Sequence, residues 1–222
     1  MQPWIKIDEA KTPDGGALEL WRRGTEFSIR TSGHELMSSR AHGSEVKLAE
    51  LAARALGDAA RQRWLIGGLG CGYTLAAALG ALDRRARVLV DEISPAVIAW
   101  NRGVLGELAG HPLKDPRVEL REVDVIDDLS GAQLELDAIL LDVDNGPSAL
   151  SQTRNAWLYQ AAGLARLHAS LRAGGVLGVW SAGPDAAFVK RLRGAGFHAE
   201  EHRVPASGSR GKRHVIWIAR RR

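Results

Sequence analysis

Three carboxylates fall at the ends of successive strand-like runs: Glu92 in ARVLVDE (86–92), Asp124 after RVELREV (117–123) and Asp142 in DAILLDV (137–143). Ahead of them WLIGG (64–68) runs into a glycine turn in which Gly68, Gly70 and Gly72 alternate with Leu69 and Cys71. Such a turn lets backbone approach a ligand closely, where a side chain would collide. A carboxylate ending the second strand can accept hydrogen bonds from both hydroxyls of a ribose, and one ending the third can accept from an adenine amino group. All three acids lie at the carboxyl edge, where open α/β sheets bind ligands. The glycines read G-x-G-x-G rather than the G-x-G-x-x-G of dinucleotide sites, which argues against a nicotinamide or flavin dinucleotide.

Strands and helices must alternate to place these groups, and from Trp64 onward they do. VLGVWSA (176–182), FHAEEHRV (197–204) and HVIWIAR (214–220) complete seven strand runs. TLAAALGALDRR, SPAVIAWNRGVLGEL and NAWLYQAAGLARLHASLRAGG read as helical connections, and DDLSGAQLE as a short loop. Strands buried on both faces and joined by helices indicate a parallel sheet with right-handed crossovers. The stretch 205–213 is too short for a crossover helix, so the last two runs should form an antiparallel hairpin. The expected fold is α/β and Rossmann-like, a mostly parallel seven-stranded sheet ending in that hairpin.

The first 43 residues differ. ALELWRRGTEFSIRTSGHELMSS alternates apolar and polar residues with turns at RGTE and TSGH, which predicts two or three antiparallel strands, an N-terminal β flap over 1–43. SEVKLAELAARALG then opens the catalytic domain over 44–222 with a helix, Ser44 as N-cap and Gly57 as its stop.

The chain of 222 residues carries a net charge of +4, much of it in SGSRGKRH (207–214) and the terminal ARRR. Without interleaved aromatics this reads as a solvated loop and tail, and nucleic acid is not an expected partner. A single cysteine excludes an internal disulfide framework, and the N-terminus lacks a signal-peptide core, so a cytoplasmic location is expected, with no membrane association. No H-x-x-x-H or C-x-x-C spacing suggests a metal, and no G-x-S-x-G elbow a hydrolase. Trp64, Trp180 and Trp217 lie in strand runs and read as core.

On the residues VDEISPAVIAWNRGVLGELAGHPLKDPRVELREVDV (90–125), DAILLDVDNGP (137–147) and SLRAGGVLGVW (170–180), the sequence resembles the spermidine synthase (polyamine aminopropyltransferase) family, over roughly 35–205. The resemblance implies a class I S-adenosylmethionine-dependent transferase fold, decarboxylated S-adenosylmethionine as aminopropyl donor, methylthioadenosine as by-product and an amine acceptor. It would give Glu92 the ribose and Asp124 the adenine, with Gly68, Gly70, Cys71, Gly72, Ile93 and Val125 completing the nucleoside site. Asp142 would be the catalytic aspartate. A homodimer is compatible with the family's habits.

Such chemistry accounts for an acid at Asp142. An ammonium of pKa ~10 has no lone pair to attack the methylene beside a sulfonium, and a carboxylate can take its proton and orient it. Asp144 would hold a second ammonium, and Tyr159 on the next helix would add a hydroxyl or pack as a half-buried aromatic. Cys71 stands where the family's glycine loop carries an aspartate that contacts the aminopropyl group, the loop after strand four is shortened to DVDNGP, and HELMSSRAHGSEVKL offers Glu35, Ser39, His42, Ser44 and Glu45 in place of the family's glutamine and tyrosine. Two alternatives therefore stand beside aminopropyl transfer: a methyltransferase using intact S-adenosylmethionine, and a non-catalytic relative that binds nucleosides.

Overall fold

The computed structural model describes residues 2–12, 15–131, 135–143, 147, 155–207 and 213–222. Its α/β part is a seven-stranded sheet that begins at β5 (Arg63–Gly67), where Trp64, Leu65 and Ile66 are fully buried. An unbroken apolar run of this kind suits a strand covered on both faces. β6 (Arg87–Glu92) and β7 (Val118–Glu122) lie to one side of it and β8 (Leu136–Leu141) to the other, all parallel. β9 (Leu171–Ser181) pairs parallel with β8. β11 (Arg213–Arg221) then enters antiparallel to β9, with β10 (Phe197–Pro205) antiparallel on its outer side. The order is β10-β11-β9-β8-β5-β6-β7. The expected fold, with its closing hairpin, is the observed one.

Among the described residues, five α-helices lie in the connections between these strands. α2 (Tyr73–Ala81) follows β5, and α3 (Pro95–Arg102) starts behind Ser94, whose hydroxyl accepts from Val97 N, with Pro95 in its first turn. α4 (Val125–Gly131) occupies part of the stretch read as loop: Asp124 Oδ1 accepts from Ile126 N at 2.9 Å and starts a short helix that has too few apolar residues to announce itself. α5 (Ala161–Ser170) and α6 (Ala186–Gly194) flank β9, α6 being capped by Asp185 on Phe188 N at 2.9 Å. The strand β9 begins five residues earlier than its apolar run, because LRAGG is drawn into the sheet beside β8 across a register shift.

The N-terminal region forms a four-stranded antiparallel sheet in simple order: β1 (Ile5–Lys11), β2 (Ala17–Arg23), β3 (Glu26–Thr31) and β4 (His34–Ser38). β1 is the strand that the alternation pattern missed. It is almost wholly exposed, so it has no buried face to betray it. Leu18, Leu20, Phe27 and Ile29 of this sheet belong to the same hydrophobic cluster as Leu48, Trp64 and Leu75, so the flap and the α/β sheet share one core. Trp100 on α3 reinforces the seam by donating Nε1–H to Asp8 at 2.6 Å. The opposite face of the large sheet is filled by a second cluster including Leu164, Phe188 and the fully buried Trp217.

Helix α1 (Gly43–Leu56) ends at Gly57, at φ 75°, as the glycine stop predicted. Its N-cap is His42 rather than Ser44. Ser44 lies inside the first turn, fully buried, and its hydroxyl serves two side chains instead of a backbone N–H.

Candidate functional site

The glycine turn after β5 is held open by backbone conformation. Gly68, Gly70 and Gly72 have φ of 89°, 53° and 82°, in the left-handed region that disfavours other residues. A Cβ on Gly68 would lie 2.5 Å from the Asp142 carbonyl oxygen, and one on Gly70 would lie 2.9 Å from Met37 Sδ. The turn is thus squeezed between the end of β8 and the flap strand β4. Asn101 on α3 ties it from outside, donating Nδ2–H to Gly70 O at 2.8 Å.

Glu92 is locked to this turn. Its Oε2 accepts from Leu69 N at 2.9 Å and its Oε1 from Ser94 N at 2.8 Å, so the carboxylate bridges the ends of two βα loops. Burial raises its pKa, and those backbone N–H groups oppose the rise. Glu92, Ile93, Asp124 and Val125 line one cavity of about 530 Å³ together with Gly68 and Gly70. Thr12, Leu18, Thr31, His34 and Met37 of the flap roof it. The sheet therefore brings Gly68, Gly70, Glu92, Ile93, Asp124 and Val125 to one cavity, while Gly72 lies behind the turn against Asn101 and Pro112 and Cys71 lines a second cavity.

Asp142 stands at the mouth between this cavity and a second one of about 340 Å³, and lines both. Its Oδ2 accepts from Thr74 Oγ1 at 2.7 Å. Burial pushes its pKa up to about 6, against the lowering effect of that hydrogen bond. The second cavity is bounded by Glu35, Met37, Glu45, Cys71, Tyr73, Trp180 and His214. Burial first, and the Asp142 charge second, push Glu45 up to about 7. Cys71 turns its thiol toward this side. Burial, with Glu45, Asp142 and Glu35 nearby, drives its pKa up to about 12, so it is a neutral thiol at physiological pH.

Three residues of this second cavity carried no sufficient signal in the sequence. Tyr73 is the first residue of α2, one position ahead of the helical run read from the sequence; it stacks on His42 with ring centroids 4.0 Å apart and donates to Ser39 O at 3.3 Å. Trp180 had been grouped with Trp64 and Trp217 as core, but only those two are fully buried, while Trp180 walls the cavity edge-on to His214 at 4.7 Å. His214 comes from the far end of the chain, and no local pattern connects it to α1. Tyr159 goes elsewhere: it is buried edge-on against Phe188 at 5.6 Å, on the far face of the sheet, and is not among the residues lining either cavity. Its position at the end of a 3₁₀ turn before α5 directs it into the core. Asp144, and residues 208–212 of the basic loop, lie outside the described residues.

Among the described residues no cluster of three or more His, Cys, Asp or Glu is arranged to hold a metal ion, and no helix is long and apolar enough to cross a membrane.

No family model matches the chain, and no curated protein matches it. Solved structures do. A spermidine synthase from Thermotoga maritima superposes with a TM-score of 0.77 at 16% identity, covering 98% of this chain and 73% of that one. A spermidine synthase in complex with the transition state analogue AdoDATO superposes with a TM-score of 0.76 at 15% identity, over 98% and 72% of the two chains. The shared property is architecture: this chain has the fold of spermidine synthase, its N-terminal antiparallel sheet included.

Proposed function

We propose that the protein transfers an aminopropyl group from a decarboxylated nucleoside sulfonium, decarboxylated S-adenosylmethionine, to a small amine. One observation carries this reading. Leaving aside Asp91, which is paired with Arg121 at 2.7 Å, the described walls of the two cavities contain Glu35, Glu45, Glu92, Asp124 and Asp142 and neither a lysine nor an arginine, in a chain whose net charge is +4. A space walled by carboxylates favours a cationic ligand and disfavours an anionic one. A decarboxylated donor brings a sulfonium and an ammonium, and the acceptor brings another ammonium. Intact S-adenosylmethionine would bring its α-carboxylate to a junction bounded by Glu35 and Asp142.

In this reading Glu92 accepts from the ribose hydroxyls, Asp124 from the adenine amino group, and Ile93 and Val125 lie beside the base. Gly68, Gly70 and Gly72 keep the turn low enough for the nucleoside. The amine occupies the second cavity. Thr74 engages Asp142 Oδ2, leaving Oδ1 for the amine. Asp142 takes one proton from the ammonium, and the freed lone pair attacks the methylene carbon. The carbon–sulfur bond breaks with its electron pair going to sulfur, leaving a neutral thioether and a secondary ammonium. A base with a pKa of about 6 is ionised at neutral pH yet close enough to it to accept a proton in the transition state. A structural relative crystallised in complex with the transition state analogue AdoDATO is consistent with this class of donor.

Methyl transfer from intact S-adenosylmethionine is the second reading. It is favoured by Cys71, a neutral thiol in a turn where an acid would hold the donor's ammonium. Calorimetry with the two donors separates them. The decarboxylated form is expected to bind at least about tenfold tighter, the equivalent of ~1.4 kcal/mol. Tighter binding of the intact form would overturn aminopropyl transfer. Mass detection of the group added to a panel of amines identifies the reaction directly, and binding without turnover would indicate a ligand-binding relative.

A further inference from the structure

Asp91 precedes Glu92 on β6, and its side chain is fully buried. Strand alternation puts it on the face of Leu89, which packs in the same cluster as Val125 and Leu129. An apolar side chain would suit that position, and a buried ion pair is a poor source of stability. The carboxylate is held by Arg121, the residue opposite it on β7. Arg121 Nε donates to Asp91 Oδ1 at 2.8 Å, and Nη2 lies 2.7 Å from the same oxygen. Asp91 Oδ2 has no hydrogen-bond partner among the described residues, so the carboxylate depends on Arg121.

The pair is not closed on itself. Arg121 Nη2 also donates to Asp128 Oδ2 at 2.8 Å, and Asp128 belongs to α4. One guanidinium thus ties β6 and β7 to the helix that follows them. At the head of that helix stand two residues of the larger cavity, Val125 and Asp124, whose Oδ1 accepts from Ile126 N. Val125 packs close to the start of the glycine turn, its Cγ2 3.0 Å from where a Cβ on Gly67 would lie. α4 has seven residues, and its buried apolar side chains are Val125 and Leu129, one turn apart on a single stripe, with Ile126 only half-buried. A helix held along one stripe is free to roll about it. On α5, Arg166 donates Nε–H to Leu129 O and secures the far end, while the tie at Asp128 stops the roll.

We propose that Arg121 is a positioning residue for base recognition. Anchored by Asp91, it holds α4 through Asp128 so that Asp124 meets the amino edge of adenine, and it thereby sets the preference for adenine over a base with a carbonyl at that edge. A planar guanidinium fork fixes direction, which an apolar contact at the same place would not. The inference rests on the nucleoside reading given above, in which Asp124 accepts from the adenine amino group.

The test compares methylthioadenosine with methylthioinosine by calorimetry on the full chain. The unaltered protein should prefer methylthioadenosine by at least about tenfold, because the other base turns a carbonyl toward Asp124. Asp128→Ala frees α4 while leaving the buried Asp91–Arg121 pair intact. It should cut the preference to about threefold or less by weakening methylthioadenosine, with methylthioinosine changed by no more than about twofold. Asp128→Asn keeps an acceptor oxygen for Arg121 and should restore most of the preference. With no nucleoside present, amide hydrogen exchange over 125–131 should quicken about tenfold in Asp128→Ala, and exchange along β6 should not. Equal losses for both nucleosides would assign the clamp to stability alone and overturn the proposal. An unchanged preference, or unchanged exchange in α4, would overturn it while leaving the nucleoside reading in place. If the unaltered protein shows no preference, or binds neither compound, the role of Asp124 fails first, and that of Arg121 falls with it.

Discussion

The two cavities share Glu35, Leu36, Met37, Gly70 and Asp142, yet they are made in opposite ways. The larger cavity, where the nucleoside is proposed to bind, is built largely from backbone. Its central carboxylate, Glu92, spends a hydrogen bond at each oxygen on main-chain N–H groups, and its floor is a turn of left-handed glycines. The smaller cavity, where the acceptor is proposed to bind, is walled by β4, α1, the glycine turn, α2, the end of β8, β9, β11 and the loops beside them, mostly through side chains. A site formed by a turn and strand ends inherits its precision from the sheet. A site formed from many scattered segments depends on every one of them packing correctly, and it can diverge by single substitutions without disturbing the fold.

Asp142 is where this contrast can be broken most sharply. Asp142→Asn should lower transfer by about 10²–10⁴-fold, the usual range for a general base, with nucleoside affinity changed by no more than about threefold. Calorimetry beside a product assay reads both. Loss of affinity in parallel with turnover would mean that the two sides do not work separately.

Gly68→Ala attacks the backbone-built side. The new Cβ would meet the Asp142 carbonyl at 2.5 Å in a residue at φ 89°. The strain should cost about 1–3 kcal/mol, seen as a lower midpoint in urea, and nucleoside binding should weaken with it. An unchanged midpoint would show that the turn is looser than its geometry implies.

Glu45→Gln probes the side-chain-built half through pH. Glu45 and Asp142 have pKa values raised to about 7 and about 6, because burial disfavours their charged forms. Their contribution to stability is complete below about pH 4, where the unfolded carboxyls are also protonated, and is lost as pH rises through 6 and 7. Relative to Glu45→Gln, the unaltered protein should therefore lose about 1–2 kcal/mol between pH 4.5 and pH 8, a partial value because the group is only half-buried. A constant difference across that range would place Glu45 in water rather than beside Asp142. The smallest effect is expected at Cys71. Buried, with its pKa pushed up to about 12, it should resist iodoacetamide at pH 8 until the protein is denatured. Fast labelling of the native protein would show that the second cavity opens to solvent.

Patterning alone determined the seven strands, the closing hairpin and the positions of Glu92, Asp124 and Asp142, because alternating strands and helices put strand ends at one edge whatever the loops do. It could not show β1, whose side chains face water, or α4, which rests on one aspartate cap. Nor could it separate Tyr159, which the turn before α5 sends into the core, from Tyr73, which reaches the cavity. The smaller cavity was decided by tertiary structure. Ser44 and His214 are 170 positions apart, and their hydrogen bond exists because α1 packs against β11. Local sequence dictates periodicity and caps; only packing brings distant polar groups within 3 Å of one another, and the polar chain beside Asp142 is made in that way.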